Sequence, residues 1–84
     1  MMKVFIKDSK GKELAIDGLS DETLVKELKA MIIKKRNVTN IPIELAFDGQ
    51  VLLDDSPLSE YNIEDGQNII YYGRFIAGLK NTTK

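Results

Sequence analysis

The sequence predicts an α+β roll, in which a mixed sheet of four to five strands carries one α-helix packed across one face. Three observations lead to this prediction. Two stretches alternate apolar and polar residues around glycine-containing turns, as β-hairpins do. A single long stretch between them has helical periodicity. A β-branched and aromatic stretch then supplies a last strand, and one helix covering one sheet is the economical packing of these elements.

The first hairpin consists of the stretches VFIK and LAID, which flank the turn residues DSKGKE. Alternation places Phe5 and its neighbouring lysines on one face and three apolar side chains on the other: Met2, Val4 and Ile6. In the return strand Leu14 and Ile16 share a face. The pair Asp17-Gly18 interrupts that strand and predicts a bulge or a turn.

The helix is predicted in the stretch SDETLVKELKAMIIKKRN, where Val25, Leu28 and Ile32 recur at helical spacing. Three residues before it are candidate caps: Ser20, Asp21 and Thr23. The last turn carries cations that suit the negative end of the helix dipole: Lys34, Lys35 and Arg36. Asn37 tolerates the left-handed conformation that ends many helices.

The second half of the chain predicts another hairpin and a closing strand. IPIELAF is the third strand, Asp48-Gly49 a tight turn, and QVLL the fourth strand. Ser56 and Pro57 suit the cap and first position of a short helical turn. After the turn Asp65-Gly66, the stretch QNIIYY alternates, with one face formed by Ile69 and Tyr71 and the other by Ile70 and Tyr72. The first and last strands must then be neighbours in the middle of the sheet.

Composition excludes several kinds of chemistry. The 84 residues allow one domain and contain no cysteine and no histidine, so thiolate catalysis, disulfides and the commonest general base are ruled out. A net charge of −1 gives no overall attraction to nucleic acid or membranes. The first residues lack the apolar core of a secretory signal. We therefore expect a cytoplasmic or nuclear protein without cofactor or metal.

Two groups of charged residues are explained by structural roles rather than by catalysis or ligand binding. The carboxylate pairs Asp54-Asp55 and Glu64-Asp65 lie in turns, where such residues cap backbone donors, and neither enzyme catalysis nor a calcium site is expected of them. A basic patch could combine the helix end with further lysines: Lys7, Lys12, Lys80 and Lys84. No aromatic residues are interleaved with it for base stacking, so nucleic-acid binding is not favoured.

These residues resemble ubiquitin and its β-grasp relatives from Met2 to about Gly78. The most specific stretch is LSEYNI, residues 58–63, which is similar to the family's Leu-Ser-acid-Tyr-Asn-Ile. The resemblance implies the β-grasp roll. It also implies that Tyr61 is the family's buried tyrosine, whose hydroxyl bonds to the backbone of a neighbouring turn.

The resemblance also implies a binding surface, since ubiquitin-like proteins are commonly bound through an exposed apolar patch on the sheet. Ser9, Ala46 and Tyr72 stand at the patch positions, and Ile70 stands where ubiquitin has a patch histidine. The apolar patch of this chain therefore differs in shape from that of ubiquitin. The predicted partner-binding residues are Ala46, Gly49, Ile70 and Tyr72, with Phe5 on the neighbouring outward face.

The tail departs from the pattern of conjugated modifiers, which end in an activated glycine. Arg74 agrees with the family, but Ile76 replaces an arginine, Ala77 replaces a glycine, and Glu44 replaces an arginine on the third strand. Cleavage after Gly78 would still create a single-glycine end. We expect residues 1–78 to form the domain and residues 79–84 to be a flexible tail or the start of a linker.

Together these points predict a non-enzymatic, monomeric ubiquitin-like domain that binds protein partners, ubiquitin-pathway components among them, and neither membrane nor nucleic acid. We expect it to be the N-terminal part of a larger protein. The alternative is a ubiquitin-like modifier that is processed after Gly78 and conjugated to target lysines.

Overall fold

The computed structural model describes residues 2–36 and 43–73. In these ranges the strands are β1 (Met2–Lys7), β2 (Glu13–Leu19), β3 (Ile43–Phe47), β4 (Gln50–Val51) and β5 (Asn68–Gly73), and the helix α1 is Val25–Arg36. A 3₁₀ helix spans Leu58–Tyr61. The five strands form one mixed sheet in the order β2-β1-β5-β3-β4. The predicted α+β roll of the ubiquitin-like β-grasp type is confirmed.

The first and last strands are parallel neighbours in the middle of the sheet, as predicted. Phe5 lies opposite Asn68, and Lys7 lies opposite Ile70. The predicted bulge is also present, because β2 uses one more residue than β1 at Asp17-Gly18. Gly18 has a φ of +78° there, a conformation that glycine adopts without steric cost.

The second hairpin turns on two residues with positive φ, Asp48 at 53° and Gly49 at +80°. This pair of conformations matches the twist of the flanking strands, which is why Asp-Gly favours a two-residue turn. The fourth strand, Gln50–Val51, is shorter than the predicted QVLL, although the Leu52 N–H still donates to the Leu45 carbonyl of β3 at 2.8 Å. Leu52 is buried, with 2% of its surface exposed, and so it points into the core.

The predicted side-chain caps of α1 are wrong. The carboxylate of Glu27 accepts the Leu24 N–H at 2.9 Å, so the cap comes from inside the first turn of the helix. The Thr23 hydroxyl instead accepts the Ser20 N–H at 2.9 Å, and the Ser20 hydroxyl accepts the Glu22 N–H at 3.2 Å. These polar side chains shape the loop before the helix rather than its first turn.

Backbone carbonyls from a later loop satisfy the next two donors of α1. The Val25 N–H donates to the Ser56 carbonyl at 2.9 Å, and the Lys26 N–H donates to the Asp54 carbonyl at 3.0 Å. The prediction that Ser56 caps the 3₁₀ helix is wrong, because Ser56 lies one residue before the cap position. The 3₁₀ helix has Pro57 at its cap position and no side-chain cap, so Pro57 precedes its first residue.

The core lies between α1 and the face of the sheet that α1 covers. Within residues 2–36 and 43–73 it contains fifteen buried apolar side chains: Met2, Val4, Ile6, Ile16, Leu19, Val25, Leu28, Ile32, Ile43, Leu45, Leu52, Leu58, Ile63, Ile69 and Tyr71. All three predicted helix positions and every predicted inward residue of β1 belong to it. Among the described residues, the opposite face of the sheet has no such cover.

The hydroxyl of Tyr61 holds the chain where it leaves β4. Its oxygen accepts the Leu53 N–H at 2.8 Å, as the family resemblance implied, although the tyrosine itself is half-buried rather than fully buried. The bond joins the 3₁₀ helix to the segment that precedes it.

We expect Tyr61→Phe to lower the free energy of unfolding by about 1 kcal/mol, because the Leu53 N–H loses its acceptor. Thermal melts of both proteins measure this. Tyr72→Phe is the matched control, since Tyr72 is 50% exposed and water solvates that part of the sheet, and it should leave the melt unchanged. Equal melting temperatures for wild type and Tyr61→Phe would mean that the bond contributes nothing.

Candidate functional site: the outer face of the sheet

The two faces of β5 have opposite surroundings. Ile69 and Tyr71 point towards α1 and are 0% and 7% exposed, whereas Ile70 and Tyr72 point away from it and are 37% and 50% exposed. The predicted alternation is confirmed. Two large apolar side chains at positions i and i+2 of a central strand therefore face solvent together on the outer face.

The strand register brings further apolar side chains beside them. Ala46 of β3 lies opposite Ile70, and Val51 of β4 lies opposite Ala46. Directly opposed residues in antiparallel strands have Cβ atoms about 4.5–5.5 Å apart, so these side chains are in contact range. We call the set Ala46, Val51, Ile70 and Tyr72 the outer patch. It crosses three adjacent strands without an intervening charged residue in its central row.

The other two predicted residues lie at the edges of this surface. Phe5 is half-buried on β1 and lies opposite Asn68, one row away from Ile70, with the Lys3 ammonium 5.9 Å from its ring centroid. Gly49 is exposed at the tip of the β3–β4 turn. The structure therefore brings Ala46, Ile70 and Tyr72 together and places Phe5 and Gly49 around them.

Two exposed apolar residues were missed by the sequence analysis. Val51 is 52% exposed and Leu53 is 64% exposed. Val51 belongs to the outer patch through its pairing with Ala46. The sequence does contain a signal for Val51. A two-residue turn at Asp48-Gly49 fixes which residues of the two strands lie opposite each other, and it therefore pairs Val51 with Ala46.

Charged residues border the outer patch on both sides. Lys7 lies opposite Ile70 on β1 and forms an ion pair with Glu13 at 3.8 Å, in which both side chains are about half exposed. Glu44 lies opposite Tyr72 on β3. The apolar centre thus has a border that contains charges of both signs.

Asp8 organises the loop between β1 and β2. Its carboxylate accepts the backbone N–H groups of Lys10 and Lys12, both at 2.9 Å, and lies 3.4 Å from a guanidinium nitrogen of Arg36. Partial burial acts to raise the pKa of Asp8, but the two N–H groups and the charge and hydrogen bond of Arg36 outweigh it and hold the pKa below its ordinary value. Arg36 also lies over the Tyr71 ring, 5.2 Å from its centroid.

We expect stability to depend on pH through Asp8. A folded-state pKa below the unfolded value gives stability that is present above about pH 4 and is lost as the pH falls through the folded-state pKa. Asp8→Asn keeps an oxygen for the two N–H groups and removes the charge. Melts between about pH 2 and pH 7 should show a lower melting temperature for the variant near neutral pH and a smaller difference in acid. A constant difference over this range would exclude a role for the Asp8 charge.

The carboxylate pair Asp54-Asp55 is occupied by ion pairs with α1. Asp54 lies 2.7 Å from the Lys29 ammonium, and Asp55 lies 3.2 Å from that of Lys26. Within residues 2–36 and 43–73 we find no group of three or more acidic side chains placed to hold a metal ion. In the same ranges no helix is long and apolar enough to cross a membrane.

The predicted processing residues Ala77 and Gly78 lie outside the described residues, as do Arg74 and Asn37. The basic helix end is within them. Lys35 donates to the Ala15 carbonyl at 3.2 Å, and Arg36 pairs with Asp8, so two of its three cations have contacts within the fold.

Comparison with known proteins agrees with the fold. The model of the ubiquitin family matches residues 4–76, most of the chain. The protein belongs to the ubiquitin family. A curated relative of this ubiquitin-family chain is the ubiquitin-like modifier HUB1 of Kluyveromyces lactis, which is 30% identical over 73 residues. That match covers 86% of this chain and 99% of the relative.

Proposed function

We propose that this ubiquitin-family protein is a non-enzymatic interaction domain that binds partner proteins, ubiquitin-pathway components among them, through the outer patch. The observation that carries the proposal is the contiguity of Ala46, Val51, Ile70 and Tyr72 on the face of the sheet opposite α1. Contiguous exposed apolar surface on a small domain marks a contact surface more often than scattered apolar residues do.

The outer patch is suited to recognition because its members sit on paired strands. Tyr72 and Ile70 have backbone positions fixed by pairing with β3, so binding costs little ordering of the chain. Tyrosine adds a large apolar area and a polar hydroxyl, the combination enriched at the energetic centres of interfaces. A partner helix or loop that lays apolar side chains across β5 and β3 would cover both residues at once.

Site-specific photo-crosslinking tests this proposal. A photoreactive phenylalanine analogue at position 72, with the chain as bait in a cell extract, should give discrete crosslinked products that mass spectrometry identifies. The analogue at position 22 is the control, since Glu22 is exposed and lies outside the five strands. Crosslinked products from position 22 together with none from position 72 would mean that the binding surface lies outside the sheet.

A second candidate function is conjugation to target proteins, and the curated relative favours it because its name describes a ubiquitin-like modifier. The test uses the chain shortened to Gly78, with ATP and an extract of the cells that make the protein. An ATP-dependent adduct that a thiol reagent breaks, and that Gly78→Ala abolishes, would establish the modifier function. An interaction domain gives no such adduct.

A further inference from the structure

The outer patch lies next to the point where β5 ends. The strand finishes at Gly73, directly after Tyr72, and the sequence continues as RFIAGLKNTTK. We call these residues, 74–84, the C-terminal segment, and they lie outside the described residues. Because β5 is a central strand, a chain that turns back after Gly73 must pass over one of the two faces of the sheet.

The face covered by α1 is already filled at this end of β5. Tyr71 is 7% exposed there, and Ile43, which lies opposite Gly73, is 8% exposed. On the outer face Ile70 and Tyr72 are 37% and 50% exposed. A chain that turns back at Gly73 therefore meets the outer patch, and glycine suits such a turn because it adopts conformations that other residues avoid.

The C-terminal segment has apolar side chains at the right distance for this contact. Three of its residues are large and apolar: Phe75, Ile76 and Leu79. Ile70 precedes Gly73 by three residues, which is about 10 Å along a strand. Residues 74–79 span up to about 20 Å when extended, so length remains for a reversal. Contact between the two apolar surfaces would remove both from water.

The charges favour the same contact. The segment has no acidic residue and carries three cations: Arg74, Lys80 and Lys84. The preceding 73 residues contain nine Lys and Arg against thirteen Asp and Glu, a net charge of −4. Along β3, Glu44 lies opposite Tyr72, and Asp48 is exposed in the turn that follows the strand. On the β1 side, the ion pair of Lys7 with Glu13 offsets the charge of Lys7.

We propose that the C-terminal segment folds back over the outer patch of its own chain and competes with partner proteins for it. Phe75, Ile76 and Leu79 cover Ile70 and Tyr72, and the cations of the segment lie along the acidic side of the patch. The docking is a property of the chain alone, whereas the competition rests on the proposed function of the outer patch.

Covalent attachment makes a weak contact sufficient for this role. A short tether holds two groups at an effective concentration on the order of mM. A contact with a Kd of about 1 mM between separate molecules is then made in about half of the chains or more. Coverage of half the patches weakens the apparent affinity for a partner about twofold, so the segment adjusts binding without blocking it.

A spin label on the C-terminal segment tests the docking without any partner. The chain has no cysteine, so Asn81→Cys creates a single attachment site. In the ¹⁵N-labelled full-length chain, the label should broaden the amide signals of the outer patch and spare those of α1. The matched variant keeps the length and charge of the segment and removes its apolar side chains: Phe75→Ser, Ile76→Ser and Leu79→Ser. It should lose most of the broadening at the outer patch.

Two results would overturn the docking. Equal broadening of the outer patch with and without the three serines would mean that attachment alone brings the label there. Broadening centred on α1 would place the segment on the other side of the molecule. Ile70→Ala with Tyr72→Ala in the labelled chain should reduce the broadening as the serines do, because it removes the other half of the contact.

Calorimetry with the partner captured at position 72 tests the competition. The triple serine variant should bind that partner about two- to fivefold more tightly than the unaltered chain. Unchanged affinity would overturn the competition. If Ile70→Ala with Tyr72→Ala also leaves the partner's affinity unchanged, the proposed function itself fails, and the spin-label result still decides whether the segment docks.

Discussion

Leu28→Ala is expected to lower the free energy of unfolding by about 3 kcal/mol. Leu28 lies in the middle of α1 with none of its surface exposed and belongs to the core between the helix and the sheet. Truncation removes apolar contacts and leaves a cavity that the close-packed neighbours fill only in part. A chain of 84 residues has a total stability of about 4–12 kcal/mol, so a large share of it would be lost.

Chemical denaturation and thermal melts measure this loss. The melting temperature should fall by about 12 °C or more for a domain of this size. Leu53→Ala is the matched control, because it makes the same change at a residue that is 64% exposed and should alter stability by less than about 0.5 kcal/mol. Similar losses from the two variants would contradict the placement of Leu28 in the core.

Ile70→Ala combined with Tyr72→Ala is expected to weaken binding of the partner captured at position 72 by about 100-fold. Truncating one aromatic residue at the centre of an interface commonly costs about 2 kcal/mol. The two side chains are neighbours on one face of β5, so their effects are not expected to add in full. Calorimetric titration with the purified partner gives the affinity.

The control for this prediction is Glu22→Ala combined with Glu60→Ala. Both residues are exposed and lie outside the five strands, and their loss should leave the affinity unchanged. A melt of the Ile70 and Tyr72 double variant checks that the fold persists. If that variant folds and binds its partner as tightly as wild type, the outer patch is not the binding surface.

Much of the fold was predictable because its signals are local. Alternation in QNIIYY separated Ile69 from Ile70, and helical spacing selected Leu28 and its neighbours, so the two faces of the sheet followed from the sequence. The turn at Asp48-Gly49 was recognisable because few residues adopt positive φ. The same turn also determines the pairing of the two strands, so Val51 could have been predicted to lie opposite Ala46.

The features that were mispredicted depend on contacts between distant parts of the chain. The first donors of α1 bond to the carbonyls of Asp54 and Ser56, and no local pattern shows that this loop will dock there. The polar residues before the helix were therefore predicted to cap it, although the backbone carbonyls of this distant loop accept its first N–H groups. The pairing of Asp8 with Arg36 is equally non-local, and it links the first loop to the end of α1.

The sequence analysis named three of the four residues of the outer patch and missed Val51. Ile70 and Tyr72 were recognised because alternation on a central strand places both on the uncovered face. That Ala46 lies beside Ile70 had no local signal in the sequence, because it requires β3 to be the neighbour of β5. Strand order is a property of the whole fold.

The most direct test of the central claim is a map of the amides perturbed when the partner captured at position 72 is added to the ¹⁵N-labelled protein. We expect the perturbed amides to cluster at Ala46, Val51, Ile70 and Tyr72 on the face opposite α1. Perturbations confined to α1 and the loop before it, with these four amides unmoved, would contradict the assignment of the outer patch as the binding surface.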